Sequence, residues 1–184
     1  MDTLPKISNT EIKKKIRTAI GVLFKNDVWL LLTDGSERSI THKLAEYLQV
    51  LFPDYNVDCE YNRNLLDNIK EIHPLRKELE DKGLLTKKEK QNATLLEKKL
   101  LERAVFPDII IHLRGMHKYN LCIIEVKKNT SSVSCVYDKI KLKYLTGNEF
   151  NYQLGIFLKI EIKGKEPLNY SYSIEEIDKN SIIL

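Results

Sequence analysis

The sequence predicts an α/β domain with a central mixed β-sheet flanked by helices. Three features of the 184-residue chain carry that expectation. Two near-continuous apolar runs, Asp108-Ile109-Ile110-Ile111-His112-Leu113 and Leu121-Cys122-Ile123-Ile124-Glu125-Val126-Lys127, read as central strands covered on both faces. Apolar residues recur at helical spacing over 10–25 and again over 36–51. Tyr152, Leu154, Ile156, Leu158 and Ile160 alternate strictly, the mark of a strand. A single domain over 1–184 is expected, and a chain of this length buries a core without disulfides or a structural metal.

In chain order, Ser8, Asn9 and Thr10 supply N-cap chemistry before Ile12, Ile16, Ile20 and Leu23, and Asn26-Asp27 breaks that helix. Val28-Trp29-Leu30-Leu31-Leu32 is short enough to be either a strand or a buried turn of helix. Asp34-Gly35-Ser36 starts a second helix that carries Ile40, Leu44, Leu48 and Leu51 and stops before Pro53. Val57-Asp58-Cys59-Glu60-Tyr61 alternates as a strand. Residues 64–104 are rich in Lys, Glu and Leu, and Thr86-x-x-Glu89 forms a capping box before Leu96 and Leu100. This segment is expected to be a helical insertion, a hairpin of two helices with most of its charge solvated. Arg114 to Asn120 can turn the chain between the two apolar strands. Ser131, Ser132 or Ser134 caps a helix with Val136, Ile140 and Tyr144, closed by Gly147, and Tyr170, Tyr172 and Ile174 suggest a last strand.

Composition narrows the function classes. Hydrophobic residues make up 42% of the chain and charged residues 30%, a globular balance. No apolar run approaches the roughly 18 residues of a membrane span, and the Met1-Asp2-Thr3-Leu4-Pro5-Lys6 start lacks a secretory apolar region. Thirty basic against 26 acidic residues give +4, which permits a polyanionic partner without requiring one. Cys59, Cys122 and Cys135 are odd in number and widely spaced, so free thiols in a reducing cytoplasm are expected, with no zinc site.

The chemistry concentrates where buried strands carry charge. Residues two apart on a strand share a face, so Glu125 and Lys127 project together while Ile124 and Val126 point into the core. If 108–113 pairs with 121–127, Asp108 joins them. Two carboxylates on fixed strands form a hard-oxygen site suited to Mg²⁺ or Mn²⁺, and a neighbouring lysine can orient water or offset charge on a phosphate.

Pro107-Asp108, followed 17 residues later by Glu125-Val126-Lys127, resembles the signature of the PD-(D/E)XK nuclease superfamily. The strand-loop-strand setting, the helix that follows and the upstream helix beginning at Glu37 are similar as well. The likeness covers about 36–62 and 105–160, and leaves out 64–104 and the first 30 residues. It implies a restriction-endonuclease-like core (αβββαβ) with a helical insertion. It also implies metal ligation by Asp108, Glu125 and the Val126 carbonyl, with Glu37 as a further ligand and Lys127 acting on the nucleophilic water. Asp138 and Lys141, on the later helix, are implied substrate contacts. Tyr61 is a further expected phosphate contact because its strand should run beside the metal strands.

The implied activity is hydrolysis of phosphodiester bonds, of DNA in the first place, with Mg²⁺ or Mn²⁺ as cofactor. A homodimer or a protein partner engaging 64–104 fits the same resemblance. Two alternatives stay open: a non-catalytic nucleic-acid-binding or scaffold protein of the same fold, and a nuclease active only with a partner. Simpler readings also exist for single residues. Glu37 suits the first turn of any helix, Glu125 and Lys127 could pair on a solvated edge, and Asp108 could end a turn. His42, His112 and His117 read as surface, sheet or loop histidines, Cys122 as a core thiol, and Tyr144 and Tyr152 as core aromatics.

Overall fold

The computed structural model describes residues 4–65, 68–91, 98–163 and 169–183. Helix α1 spans Asn9–Asn26, and Ser8 caps it by accepting a hydrogen bond from the Glu11 N–H at 3.2 Å. Its buried stripe, Ile12, Ile16, Ala19, Ile20 and Leu23, lies against α3 (Glu37–Leu51), whose own stripe is Ile40, Thr41, Leu44, Ala45 and Leu48. The ambiguous Val28–Leu32 run is a short helix, α2, that buries Leu31 and leaves Trp29 exposed.

A five-stranded mixed sheet follows, in the order β1 (Asn56–Cys59), β6 (Ile109–His112), β7 (Cys122–Lys128), β8 (Leu154–Lys163), β9 (Asn169–Ile177). β1 runs antiparallel to β6, and β6 antiparallel to β7. β7 and β8 are parallel, joined across the sheet by α6 (Val136–Leu145), and β9 closes the far edge antiparallel to β8.

The central strands are covered on both faces, as their unbroken apolar runs require. Ile109, Ile111, Cys122, Ile124, Val126, Leu154, Ile156, Leu158 and Ile160 pack with α1 and α3. Ile110, Ile123 and Phe157 face the other way, onto Ile140, Leu142 and Leu145 of α6. The chain is therefore a three-layer α/β/α arrangement. Among the described residues no helix is long and apolar enough to cross a membrane.

The segment 64–104 holds two helices, as expected, but they are short and small paired strands precede and follow them. It opens with a hairpin of β2 (Arg63–Asn64) and β3 (Asn68–Ile69). It is then tied at its base by β4 (Glu71–Ile72) pairing with β5 (Arg103–Ala104). Between them lie two short helices, α4 (Arg76–Asp81) and α5 (Lys87–Gln91). The capping box is formed: Glu89 accepts from the Thr86 N–H at 2.7 Å and donates its own N–H to the Thr86 hydroxyl at 3.2 Å. The expected continuation through Leu96 lies outside the described residues.

The charge of this segment is not all solvated. Glu89 is buried and bonded to Arg103 at 2.6 Å, and Lys70 is 3% exposed. Ile72, Leu79, Leu85, Leu101 and Val105 add to the core on the α6 side. The insertion is packed onto the sheet rather than projecting from it.

Candidate active site

Asp108 immediately precedes β6, whose Ile109 faces Ile124 of β7. Continuing that register by one residue sets Asp108 opposite Glu125. Alternation does the rest. Ile110 and Ile123 face α6, so Asp108, Glu125 and Lys127 share that face. The Val126 N–H donates to the Asp108 carboxylate at 2.7 Å, locking the two strand ends together. In an extended strand the N–H and C=O of one residue face the same edge, so the Val126 carbonyl faces Asp108 as well.

Glu125 is 1% exposed. Its Oε2 lies 2.7 Å from the Lys141 ammonium on α6. Its Oε1 is buried without a hydrogen-bond partner among the described residues. Asp138, one helical turn before Lys141, reaches that ammonium at 3.1 Å and Lys127 at 3.7 Å. Lys127 also meets Glu37 at 3.5 Å. The second Glu37 oxygen accepts from the Lys128 N–H at 3.0 Å. Glu37, Lys127, Asp138, Lys141 and Glu125 thus form a continuous chain of alternating charge, with Asp108 at its flank.

The charges do not cancel. Glu37, Asp108, Glu125 and Asp138 stand against Lys127 and Lys141, so the fully ionised cluster is left two negative charges in excess. The strain shows in the acidities. Burial pushes the Asp108 carboxyl up, resisted by the Val126 N–H and Lys141 and reinforced by Asp138 and Glu37. Burial drives Glu125 well above the ordinary carboxylate range, and Lys141 only partly restrains it. Burial acts against the Lys141 charge too, but Glu125 and Asp138 outweigh it and hold that ammonium above its usual value.

The sequence-based expectations sort as follows. Glu37, Asp108, Glu125, Val126 and Lys127 come together at one end of the central strands. Asp138 and Lys141, expected at the substrate, instead turn inward and become members of the charged cluster. Tyr61 stands elsewhere: its ring packs edge-on against His112, the last residue of β6, at the strand end opposite Asp108. β1 does run beside β6, but it ends at Cys59, so Tyr61 lies beyond it. His42 is exposed beside Glu46, and His112 pairs with Asp58 at 3.0 Å.

Lys128 was not singled out by the motif, yet it fixes the site. It is 8% exposed and donates to Asp34 Oδ1 at 2.5 Å and to the Gly35 carbonyl at 2.7 Å. The turn before α3 is thereby tied to the end of β7, and Glu37 follows two residues later. Position parity carried the signal: Lys128 shares a face with Ile124 and Val126, where a lysine needs dedicated acceptors.

A cavity of about 250 Å³, lined by Arg38, Thr41, His42, Cys59, Glu60 and Asp108, opens beside the cluster and reaches it at Asp108. Comparison of the chain with known protein families, with curated proteins and with solved structures finds no match in any of the three.

The donors suit a hard divalent ion, but they are not a closed cage. Among the described residues no three His, Cys, Asp or Glu side chains converge at metal-ligand spacing. Glu37, in particular, is spent on Lys127 and the Lys128 N–H. Mg²⁺ characteristically takes one or two carboxylates and keeps waters or phosphate oxygens for its remaining positions. Asp108 and Glu125 offer two carboxylates for such an ion, with one buried Glu125 oxygen uncommitted.

Proposed function

We propose that the protein is a divalent-metal-dependent nuclease that hydrolyses phosphodiester bonds, with DNA as its substrate. The observation that carries this reading is the uncompensated carboxylate cluster in which the Glu125 Oε1 is buried and unpartnered. A buried oxygen of this kind is costly unless a cation or a donor meets it. The order α3, β1, β6, β7, α6, β8 also corresponds to the αβββαβ core that the Asp108 and Glu125-Val126-Lys127 motif implies.

In this reading Asp108, Glu125 and the Val126 carbonyl hold Mg²⁺ or Mn²⁺, which when bound supplies Lewis acidity toward a phosphoryl oxygen and eases deprotonation of water. The Val126 N–H keeps the Asp108 carboxylate in place. Lys127, held between Glu37 and Asp138 at 3.5 and 3.7 Å, positions the attacking water and offsets charge building on the phosphate. Those ion pairs are long, so the ammonium retains hydrogen-bonding capacity for substrate. Glu37 and Asp138 act by holding Lys127. The substrate phosphate enters from the cavity beside Asp108, where Arg38 is exposed.

One observation favours a second reading, a nucleic-acid-binding protein without turnover. The Lys141 ammonium already sits on Glu125, and such a resident cation can replace a metal. Incubation with Mg²⁺ or Mn²⁺ and a panel of linear, supercoiled, single-stranded and branched DNA plus RNA separates the two. Metal-dependent cleavage absent from Asp108→Ala and Lys127→Ala is the expected result. Nucleic-acid binding without cleavage under any metal would establish the second reading instead.

A further inference from the structure

A second polar pocket lies on the same side of the sheet, at the end of β6 away from Asp108. Tyr61, Lys70, His112, His117, Asn120 and Tyr152 line it, with Arg63 and Asn64 from β2. Lys70 is 3% exposed, so its cation is almost wholly removed from water. Its ammonium donates to the Tyr152 hydroxyl at 2.9 Å and lies 5.1 to 6.0 Å from the ring centres of Tyr152, Tyr61 and Phe150.

An ammonium has three donors, and among the described residues this one forms a single hydrogen bond. The rings stabilise it by cation–π attraction, which does not replace a counter-ion. Burial accordingly pushes the Lys70 ammonium down to about 8, with Asp58 acting weakly the other way. Asp58 itself is committed to His112 and to Arg114, which donates to it at 2.9 Å.

The lining is one-sided in charge. No aspartate or glutamate lines the pocket among the described residues. Its enclosed volume is about 10 Å³, the room of one water-sized atom. The floor therefore admits one oxygen of a larger group, and exposed Arg63 is available to the remainder at the mouth, beside half-buried His117, whose Nε2 pairs with the Asn64 side-chain oxygen.

We propose that the Lys70 pocket is a phosphate-binding site: it seats one oxygen of a phosphoryl oxyanion, as at the end of a nucleic-acid strand or on free phosphate. A compact point charge on a fixed stem suits that role. The site is separate from the carboxylate cluster and stands whether or not that cluster is catalytic.

The test is metal-free. The intact protein, in the presence of a chelator, is titrated with inorganic phosphate, with a short 5′-phosphorylated oligonucleotide and with its unphosphorylated counterpart, and followed by calorimetry and backbone amide shifts. Saturable binding is expected, with shifts at Asn64, Lys70, His117 and Asn120. Affinity should fall more than tenfold in Lys70→Gln and severalfold in Arg63→Ala, and remain unchanged in Asp108→Asn. Tighter binding of the phosphorylated oligonucleotide identifies the strand end as the source, and equal affinity of the two oligonucleotides with saturable phosphate binding identifies free phosphate. Arg63 is exposed, so its variant remains informative if Lys70→Gln fails to fold. No saturable binding, shifts scattered over surface lysines, or wild-type affinity in folded Lys70→Gln or in Arg63→Ala would overturn the proposal.

Discussion

Lys141 and Glu125 form an ion pair 2.7 Å long in which the carboxylate is 1% exposed and leaves its other oxygen without a partner. The lysine comes from α6 and the glutamate from β7, so the pair fastens the crossover helix to the sheet as well as balancing charge. Removing one partner strands the other in a low-dielectric site. Lys141→Met is expected to lower unfolding free energy by about 3–5 kcal/mol, and the Lys141→Met, Glu125→Gln double variant by less than the sum of its parts. Urea denaturation of the four proteins measures this, and additive losses would contradict the pairing.

Lys127 should behave differently. Its contacts to Glu37 and Asp138 are longer, at 3.5 and 3.7 Å, so Lys127→Ala should cost less stability than Lys141→Met. Its effect should fall on turnover, a loss of about 10²- to 10⁴-fold if it serves the attacking water. Single-turnover cleavage alongside denaturation distinguishes the two lysines. Equal stability losses with unchanged cleavage would remove Lys127 from the mechanism.

Glu89 gives the insertion a pH signature. Burial opposes its charge, but hydrogen bonds from Arg103 and Thr86 prevail and hold its carboxyl down at about 2, against an ordinary value of 4.5. A depressed carboxyl stabilises the fold above its unfolded value and loses that contribution as pH falls toward its folded one. Stability on the order of 2 kcal/mol should therefore vanish between pH 4.5 and about 2 in the wild type. Glu89→Gln should flatten that portion of the acid profile, while leaving metal binding unchanged.

Gly155 lies where β8 and β9 leave no room for a side chain. A Cβ at this position of β8 would run into the Ile177 carbonyl oxygen of β9 and press on the Thr146 side chain. Gly155→Ala is expected to destabilise by about 1–3 kcal/mol through overpacking, detectable as a lowered melting temperature. An unchanged melting temperature would show that β9 shifts freely at that point.

The central strands and the helices over them were legible because each has one dominant period. Ile109 to Ile111, and Ile123 with Ile124, bury both faces, and the 154–160 alternation places every second residue against α1 and α3. The clustering of Asp108 with Glu125 and Lys127 followed from strand parity and pairing, and Glu37 was added by what the resemblance implied. The inward turn of Lys141 did not, although it sits between Ile140 and Leu142 on a helix that buries both. The short strands of the insertion were missed because β2 to β5 are two-residue pieces, too short to show alternation, while its Lys and Glu content imitates solvated helix. Lys70 and Glu89 are buried by contacts with Tyr152 and Arg103, distant in sequence, which local composition does not encode.

The central claim is that the unbalanced carboxylates of Asp108 and Glu125 take up a divalent cation. Calorimetric titration of the metal-free protein with Mn²⁺, beside Asp108→Asn, Glu125→Gln and Glu89→Gln, tests it most directly. One site per chain is predicted, weakened at least about tenfold in the first two variants and unaltered in the third. Absence of saturable Mn²⁺ binding in the wild type, or wild-type affinity in Asp108→Asn, would contradict it.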